Sequence, residues 1–144
     1  MGEHARILVV DDDEGVRKTL ESILEAKGYN VDTAENGREA IRKSHENLYD
    51  LALVDIRLPD IEGTKLLTKL REKFPRTVKI ILTGFPAMRN AIEAVNNCAD
   101  GYLMKPVDID HLLKTIETHL GRRRAEEKYG QEATAAFIET RLRE

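Results

Sequence analysis

Tryptophan is missing from the 144 residues, and only three Phe and four Tyr are present. A core must therefore be assembled from Ile, Leu, Val and Ala. The single cysteine, Cys98, rules out an internal disulfide, and no CxxC or Cys/His cluster offers a zinc site. Late in a helix-prone stretch, Cys98 reads as a small buried hydrophobe rather than a reactive thiol. No apolar run approaches the roughly 20 residues that cross a bilayer. The polar opening Met1–Arg6, followed by the short run Ile7–Val10, is unlike a signal peptide. A soluble, cytoplasmic protein with no membrane partner is expected. Charge of one sign is also lacking: the net charge is −3, and the last 24 residues hold six Lys/Arg against five Asp/Glu. Neither the whole chain nor its tail is a nucleic-acid arm. Internal repeats and low-complexity tracts are absent.

What is present is an alternation of short apolar runs and longer amphipathic segments, in a length that suits one domain. Ile7–Val10, Leu51–Val54 and, but for Lys79, Val78–Leu82 are apolar runs, as strands buried on both faces are. Asn30–Ala34 is a more polar strand, nearer an edge, and Gly101–Met104 is the fifth. Between them, Glu14–Lys27 repeats Val16, Leu20, Ile23 and Leu24 at helical spacing, and Gly28 stops it. Arg38–Asn47, Thr64–Phe74 (closed by Pro75) and Ala87–Asn97 (after Pro86) are further helices. Asp108 is placed to cap a fifth, with the stripe Leu112, Leu113, Ile116 and Leu120 and with Gly121 at its end. Five such units predict an α/β domain over residues 5–120, a parallel sheet with helices on both faces. Residues 121–144 form a helix-prone tail whose apolar candidates are Ala133, Ala136, Phe137, Ile138 and Leu142, with Gly130 speaking against one unbroken helix. Such a tail folds onto the domain, pairs with a second copy, or connects to something further.

In an open α/β sheet, ligands gather outside the carboxyl ends of the strands. There the chain places Asp11, Asp12 and Asp13 after strand one, Asp55 after strand three, Thr83 after strand four and Lys105 after strand five. Clustered carboxylates repel unless they share a cation. An oxygen-only donor set suits Mg²⁺, which keeps waters and accepts phosphate oxygens. A carboxylate can also attack phosphorus, and an ammonium and a hydroxyl then stabilise the charge on the transferred oxygens. Taken singly, each residue has an ordinary reading: Asp13 as a helix N-cap, Lys105 as a solvated lysine, Thr83 as a turn residue. Their coincidence on one edge favours a site. The histidines His4, His45, His111 and His119 lack metal-ligand spacing and read as surface residues.

Four ordered motifs resemble the receiver domains of two-component response regulators, in particular the chemotaxis-regulator-like ones. They are Ile-Leu-Val-Val-Asp-Asp-Asp-Glu (7–14), Leu-Ala-Leu-Val-Asp-Ile-Arg-Leu-Pro-Asp-Ile-Glu-Gly (51–63), Ile-Ile-Leu-Thr-Gly (80–84) and Gly-Tyr-Leu-Met-Lys-Pro (101–106). The resemblance implies a doubly wound, flavodoxin-like sheet in the order 2-1-3-4-5. It implies Asp55 as phosphoacceptor, with Asp11, Asp12, Asp55 and the backbone carbonyl of Arg57 holding Mg²⁺, Asp11 through water. Lys105 would pair with the phosphoryl oxygens and precede a cis bond to Pro106. Thr83 and Tyr102 would be a switch pair that alters the surface of the fourth helix, fifth strand and fifth helix. The implied partners are a histidine kinase or phosphotransfer protein and a downstream effector. A homodimer through the fourth and fifth helices or the tail is compatible with it, and nothing in these residues binds nucleic acid directly. Phe85, two residues past Thr83, offers no polar group to orient water, so slow self-dephosphorylation is expected.

Two other classes compete. A phosphohydrolase of the haloacid-dehalogenase kind also forms an aspartyl phosphate, but its usual second Asp, two residues on, is replaced here by Arg57. A pseudo-receiver that binds without being phosphorylated has no need of the costly set Asp12, Asp55 and Lys105. No turnover enzyme is expected.

Overall fold

The computed structural model describes residues 5–84 and 99–143. Five strands, β1 (Arg6–Val10), β2 (Asn30–Ala34), β3 (Leu51–Asp55), β4 (Val78–Thr83) and β5 (Gly101–Met104), form one parallel sheet in the order β2-β1-β3-β4-β5. Fold class and strand order are those expected from the sequence, with the polar β2 at an edge.

Because side chains alternate across a strand, the three central strands feed two separate cores. Ile7, Val9, Leu51, Leu53, Ile80 and Leu82 point to one face. There they meet Leu20 and Leu24 of α1 (Glu14–Ala26) and Leu112, Ile116 and Leu120 of α4 (Ile109–Arg143). Leu8, Val10, Ala52, Val54 and Ile81 point to the other face, against Ala40 of α2 (Gly37–Glu46) and Leu66, Leu67 and Leu70 of α3 (Gly63–Lys73). Fully burying one such aliphatic side chain stabilises the fold by about 1.5–3 kcal/mol. The continuous apolar runs are thus a consequence of having helices on both sides.

The helix ends follow sequence chemistry. Asp13 caps α1, its side chain accepting from the Val16 amide at 3.0 Å. Gly28 leaves α1 at φ 92°, where a Cβ is disfavoured. Asp108 accepts the Leu112 amide on its carbonyl at 2.9 Å and the Asp110 amide on its side chain at 3.1 Å, as a cap does.

Two expectations fail at the carboxyl end. The last helix runs unbroken from Ile109 to Arg143, through both Gly121 and Gly130. Neither glycine has a positive φ, and a glycine that keeps helical angles costs only about 1 kcal/mol without ending the helix. The described side chains beyond Leu120 are mostly exposed, Ala133 and Tyr129 among them. Arg123 still donates to the Pro75 carbonyl at 3.4 Å, and beyond it the described side chains face solvent. The segment Ala87–Asn97, together with Pro86, Phe85, Cys98, His4 and the side chains of Ala136, Phe137, Ile138 and Leu142, lies outside the described residues. No helix of the described residues is long and apolar enough to cross a membrane.

Candidate functional site

The carboxyl edge of the sheet collects the acidic residues because three strands end there in register. Asp11 follows β1 and is fully buried, while Asp12 beside it is exposed. Asp55 closes β3 at 7% exposure, and Thr83 closes β4 at 2%. One carboxylate oxygen from each of Asp11, Asp12 and Asp55 lies within 4.8 Å of the others. Lys105, just past β5, reaches across: its Nζ donates to Asp11 Oδ2 at 2.7 Å and lies 3.4 Å from Asp55 Oδ2. The Lys105 amide donates to the Thr83 carbonyl at 2.8 Å, tying the ends of β5 and β4 together. The Lys105–Pro106 bond is cis, as the motif implied.

Backbone donors fix the two buried carboxylates. Asp11 Oδ1 accepts from the Asp13 amide at 3.0 Å, and Asp55 Oδ1 accepts from the Arg57 amide at 3.1 Å. The Arg17 guanidinium donates to the Asp11 carbonyl at 2.7 Å. Nothing in the sequence singled out Arg17; its place one turn into α1, facing back at the acidic triplet, was the available signal.

The electrostatics are unbalanced. Burial pushes the Asp55 carboxyl above the usual range, and the neighbouring Asp11 adds to this against the Arg57 amide and Lys105. For Lys105, burial opposes its charge, but the hydrogen bond to Asp11 and the negative charge of Asp55 and Asp11 outweigh it and raise its pKa. One ammonium serves two buried carboxylates, with Asp12 close by. Such a set lacks positive charge, and three hard carboxylate oxygens this close together could hold a small divalent cation such as Mg²⁺.

Of the residues singled out from sequence, Asp11, Asp12, Asp55 and Lys105 come together. Thr83 joins them through the Lys105 amide. Tyr102 stands on β5 and is 47% exposed. Asp13 serves as a cap. Among the histidines, His45 is exposed and meets Phe74 edge to face at 5.3 Å, and His111 is exposed. His119 departs from the surface reading: it is half-buried, its Nδ1 2.9 Å from the Thr115 carbonyl and its Nε2 3.1 Å from the Asp100 carbonyl.

Comparison with known proteins agrees with this geometry. Residues 7–117 match the family model described as the response regulator receiver domain. Over 135 residues the chain is 36% identical to the transcriptional regulatory protein ZraR of Klebsiella oxytoca, covering 94% of this chain and 30% of that protein. It is 36% identical to the regulatory protein AtoC of Escherichia coli, covering 80% of this chain and 25% of that protein. The chain thus spans about a third or less of the length of these relatives. A CheY-like receiver domain protein from Methanospirillum hungatei superimposes with a TM-score of 0.82 at 40% identity, over 85% of this chain and 98% of that one. The response regulator protein TrrA of Thermotoga maritima, solved in complex with Mg²⁺ and BeF, superimposes with a TM-score of 0.73 at 36% identity, over 79% of this chain and 97% of that one.

Proposed function

Since the chain belongs to the response regulator receiver domain family, a family of two-component signalling modules rather than turnover enzymes, we propose that it is switched by phosphorylation of Asp55. The observation that carries this reading is the convergence of Asp11, Asp12 and Asp55 oxygens within 4.8 Å, with Lys105 bridging Asp11 and Asp55.

In the reaction, an Asp55 carboxylate oxygen attacks the phosphorus of a phosphohistidine on a kinase or phosphotransfer partner. The new O–P bond forms as the P–N bond breaks, and the departing imidazole takes up a proton. Asp11, Asp12, Asp55 and the Arg57 carbonyl would hold Mg²⁺. When bound, the ion supplies charge neutralisation for the phosphoryl oxygens. Lys105 turns from its carboxylates toward the new phosphoryl group. A group carrying about −1.5 to −2 charge at the end of β3 draws the Thr83 hydroxyl toward it. Thr83 is buried at 2% exposure and Tyr102 lies outward at 47%, so a shift of Thr83 opens space into which Tyr102 turns. Phosphorylation thereby biases a two-state surface that includes β5 and α4; its expected remaining part, 87–97, lies outside the described residues, as does Phe85, to which slow dephosphorylation was ascribed.

An apolar groove lined by Val16, Leu20, Ile23, Pro106 and Val107 borders Lys105 and suits the approach of the phosphodonor. The described side chains of residues 121–133, mostly exposed, offer a surface that an effector would contact. A cytoplasmic location accords with such a role.

Acetyl phosphate with Mg²⁺ should add one phosphoryl group to the intact mass of the protein, and Asp55→Asn should add none. Beryllofluoride with Mg²⁺ should shift the amide resonances of Thr83 and Tyr102. An unmodified Asp55 and an unchanged spectrum would mark a pseudo-receiver, and sustained release of phosphate from monoesters would mark a hydrolase. Either result overturns the proposal.

A further inference from the structure

The loop between β3 and α3 carries Arg57, whose carbonyl the proposed metal site uses, and it is held at two places. At its base, the Arg57 amide donates to Asp55, and Arg57 pairs with Glu62 in an antiparallel bridge, closing the loop like a small hairpin. At its tip, Asp60 leaves the loop altogether. Its Oδ1 accepts from the Gly37 amide and its Oδ2 from the Arg38 amide, each at 2.9 Å.

Those two amides are the first of α2. A helix begins with amides that have no intrahelical partner. In α2 the side chain of the N-cap Asn36 serves only the Glu39 amide, at 2.8 Å, while the Asn36 carbonyl takes Ala40 at 3.1 Å. Asp60, from 22 and 23 residues away, serves the rest. These backbone bonds hold its carboxyl below the usual range, Gly37 first. The approach is tight: a Cβ on Gly37 would meet Ile61 Cγ2 at 2.2 Å. Gly37 is therefore the residue that allows the loop tip to lie on the helix end.

We propose that Asp60 is a positioning residue for the metal site: by capping α2 it fixes the loop that presents the Arg57 carbonyl. The inference rests on the metal reading above. Its cause is mechanical. A loop tethered only at its base is free to open, and a metal ligand on a freed loop loses preorganisation. Groups that orient metal ligands typically change affinity by 10–100-fold when removed.

Mg²⁺ titration of the metal-free protein, followed by ¹H–¹⁵N spectra, tests this. Asp60→Ala should weaken Mg²⁺ about tenfold, and Asp60→Asn, which keeps one acceptor, by about threefold. Asn36→Ala removes a cap from the same helix without touching the loop. It should lower Tm yet leave the Mg²⁺ affinity within about twofold of wild type. Without metal, amides 57–62 should exchange faster in Asp60→Ala and not in Asn36→Ala. Wild-type affinity in Asp60→Ala, or equal weakening in Asn36→Ala, overturns the inference alone. A wild-type protein that does not bind Mg²⁺ overturns the site reading, and the inference with it.

Discussion

Each end of the sheet holds a lysine, half-buried at the carboxyl end and buried at the amino end, and the two live under opposite conditions. At the carboxyl end, Lys105 faces two buried carboxylates, and its pKa is raised. At the amino end, Lys79 is 3% exposed and its ammonium donates to the Thr77 carbonyl at 2.6 Å; burial lowers its pKa. The other charges at the amino end are matched locally. Asp50 accepts from the Arg6 amide and Asp100 from the Lys79 amide, both at 2.8 Å, and Asp32 accepts from the Tyr49 hydroxyl at 2.7 Å. Each carboxylate there has a neighbouring donor, which makes that end a structural seam. The carboxyl end instead gathers more negative charge than one lysine can answer. That imbalance, rather than burial as such, distinguishes a site from a seam.

The largest effect should come from removing the lysine that faces both buried carboxylates. Lys105→Met leaves Asp11 and Asp55 buried against each other, and breaking a buried pair typically costs about 3–5 kcal/mol. With a quarter of the lysine side chain still exposed, at 26%, solvent screening reduces this to about 2–3 kcal/mol. Urea unfolding without divalent ions measures it. Saturating Mg²⁺ should then restore more stability to the variant than to wild type, because the ion replaces the lost charge. A variant as stable as wild type would break the contrast between the two ends.

A smaller effect of opposite sign is expected from Asp55→Asn in metal-free protein. The folded pKa of Asp55 is raised, so its ionised form is disfavoured by folding. A raised carboxyl contributes stability only at low pH, and that contribution is lost as pH rises through the folded pKa. At neutral pH the neutral amide should therefore be the more stable, by about 1 kcal/mol, as is common where a functional group is traded away. The gain should shrink as pH falls through the raised folded value and be gone below the ordinary 3.8, where the carboxyl is protonated in both states. A loss of stability at pH 7 would contradict it.

Most of this arrangement was legible in the sequence because it follows from short-range patterns. The runs Ile7–Val10 and Leu51–Val54 are apolar at every position and Val78–Leu82 at all but Lys79, so they had to be central strands, and the residue after each had to fall on one edge. The site residues were therefore found together. What escaped depends on contacts between distant segments. Asp60 reads as an ordinary turn residue until α2 is seen beneath it. Lys79 interrupts an apolar run without saying where its ammonium goes. His119 looks like a polar helix residue, yet the start of β5 lies against its ring. Gly121 misled because a glycine stops a helix only when it takes a left-handed φ, and that choice is made by the surroundings.

The smallest effect, and the finest test of the comparison, lies at Lys79. Replacing a buried charge with an apolar side chain of similar length is often neutral or stabilising, so Lys79→Met should change stability by less than about 1 kcal/mol, in the favourable direction, the freed Thr77 carbonyl offsetting part of the gain. The two lysines then separate on alkaline titration. Lys79 titrates below its ordinary 10.5 in the folded protein, so its penalty is complete at neutral pH and fades as pH climbs through the lowered value toward 10.5. Lys105 titrates above 10.5 when folded, so its contribution is complete up to that pH and is lost only beyond it. Thermal unfolding of both Met variants beside wild type, stepped from neutral to alkaline buffer, should show the small advantage of Lys79→Met vanishing first, while the deficit of Lys105→Met still stands. Should both differences fade over the same pH range, the two lysines share one environment, and the distinction between seam and site fails.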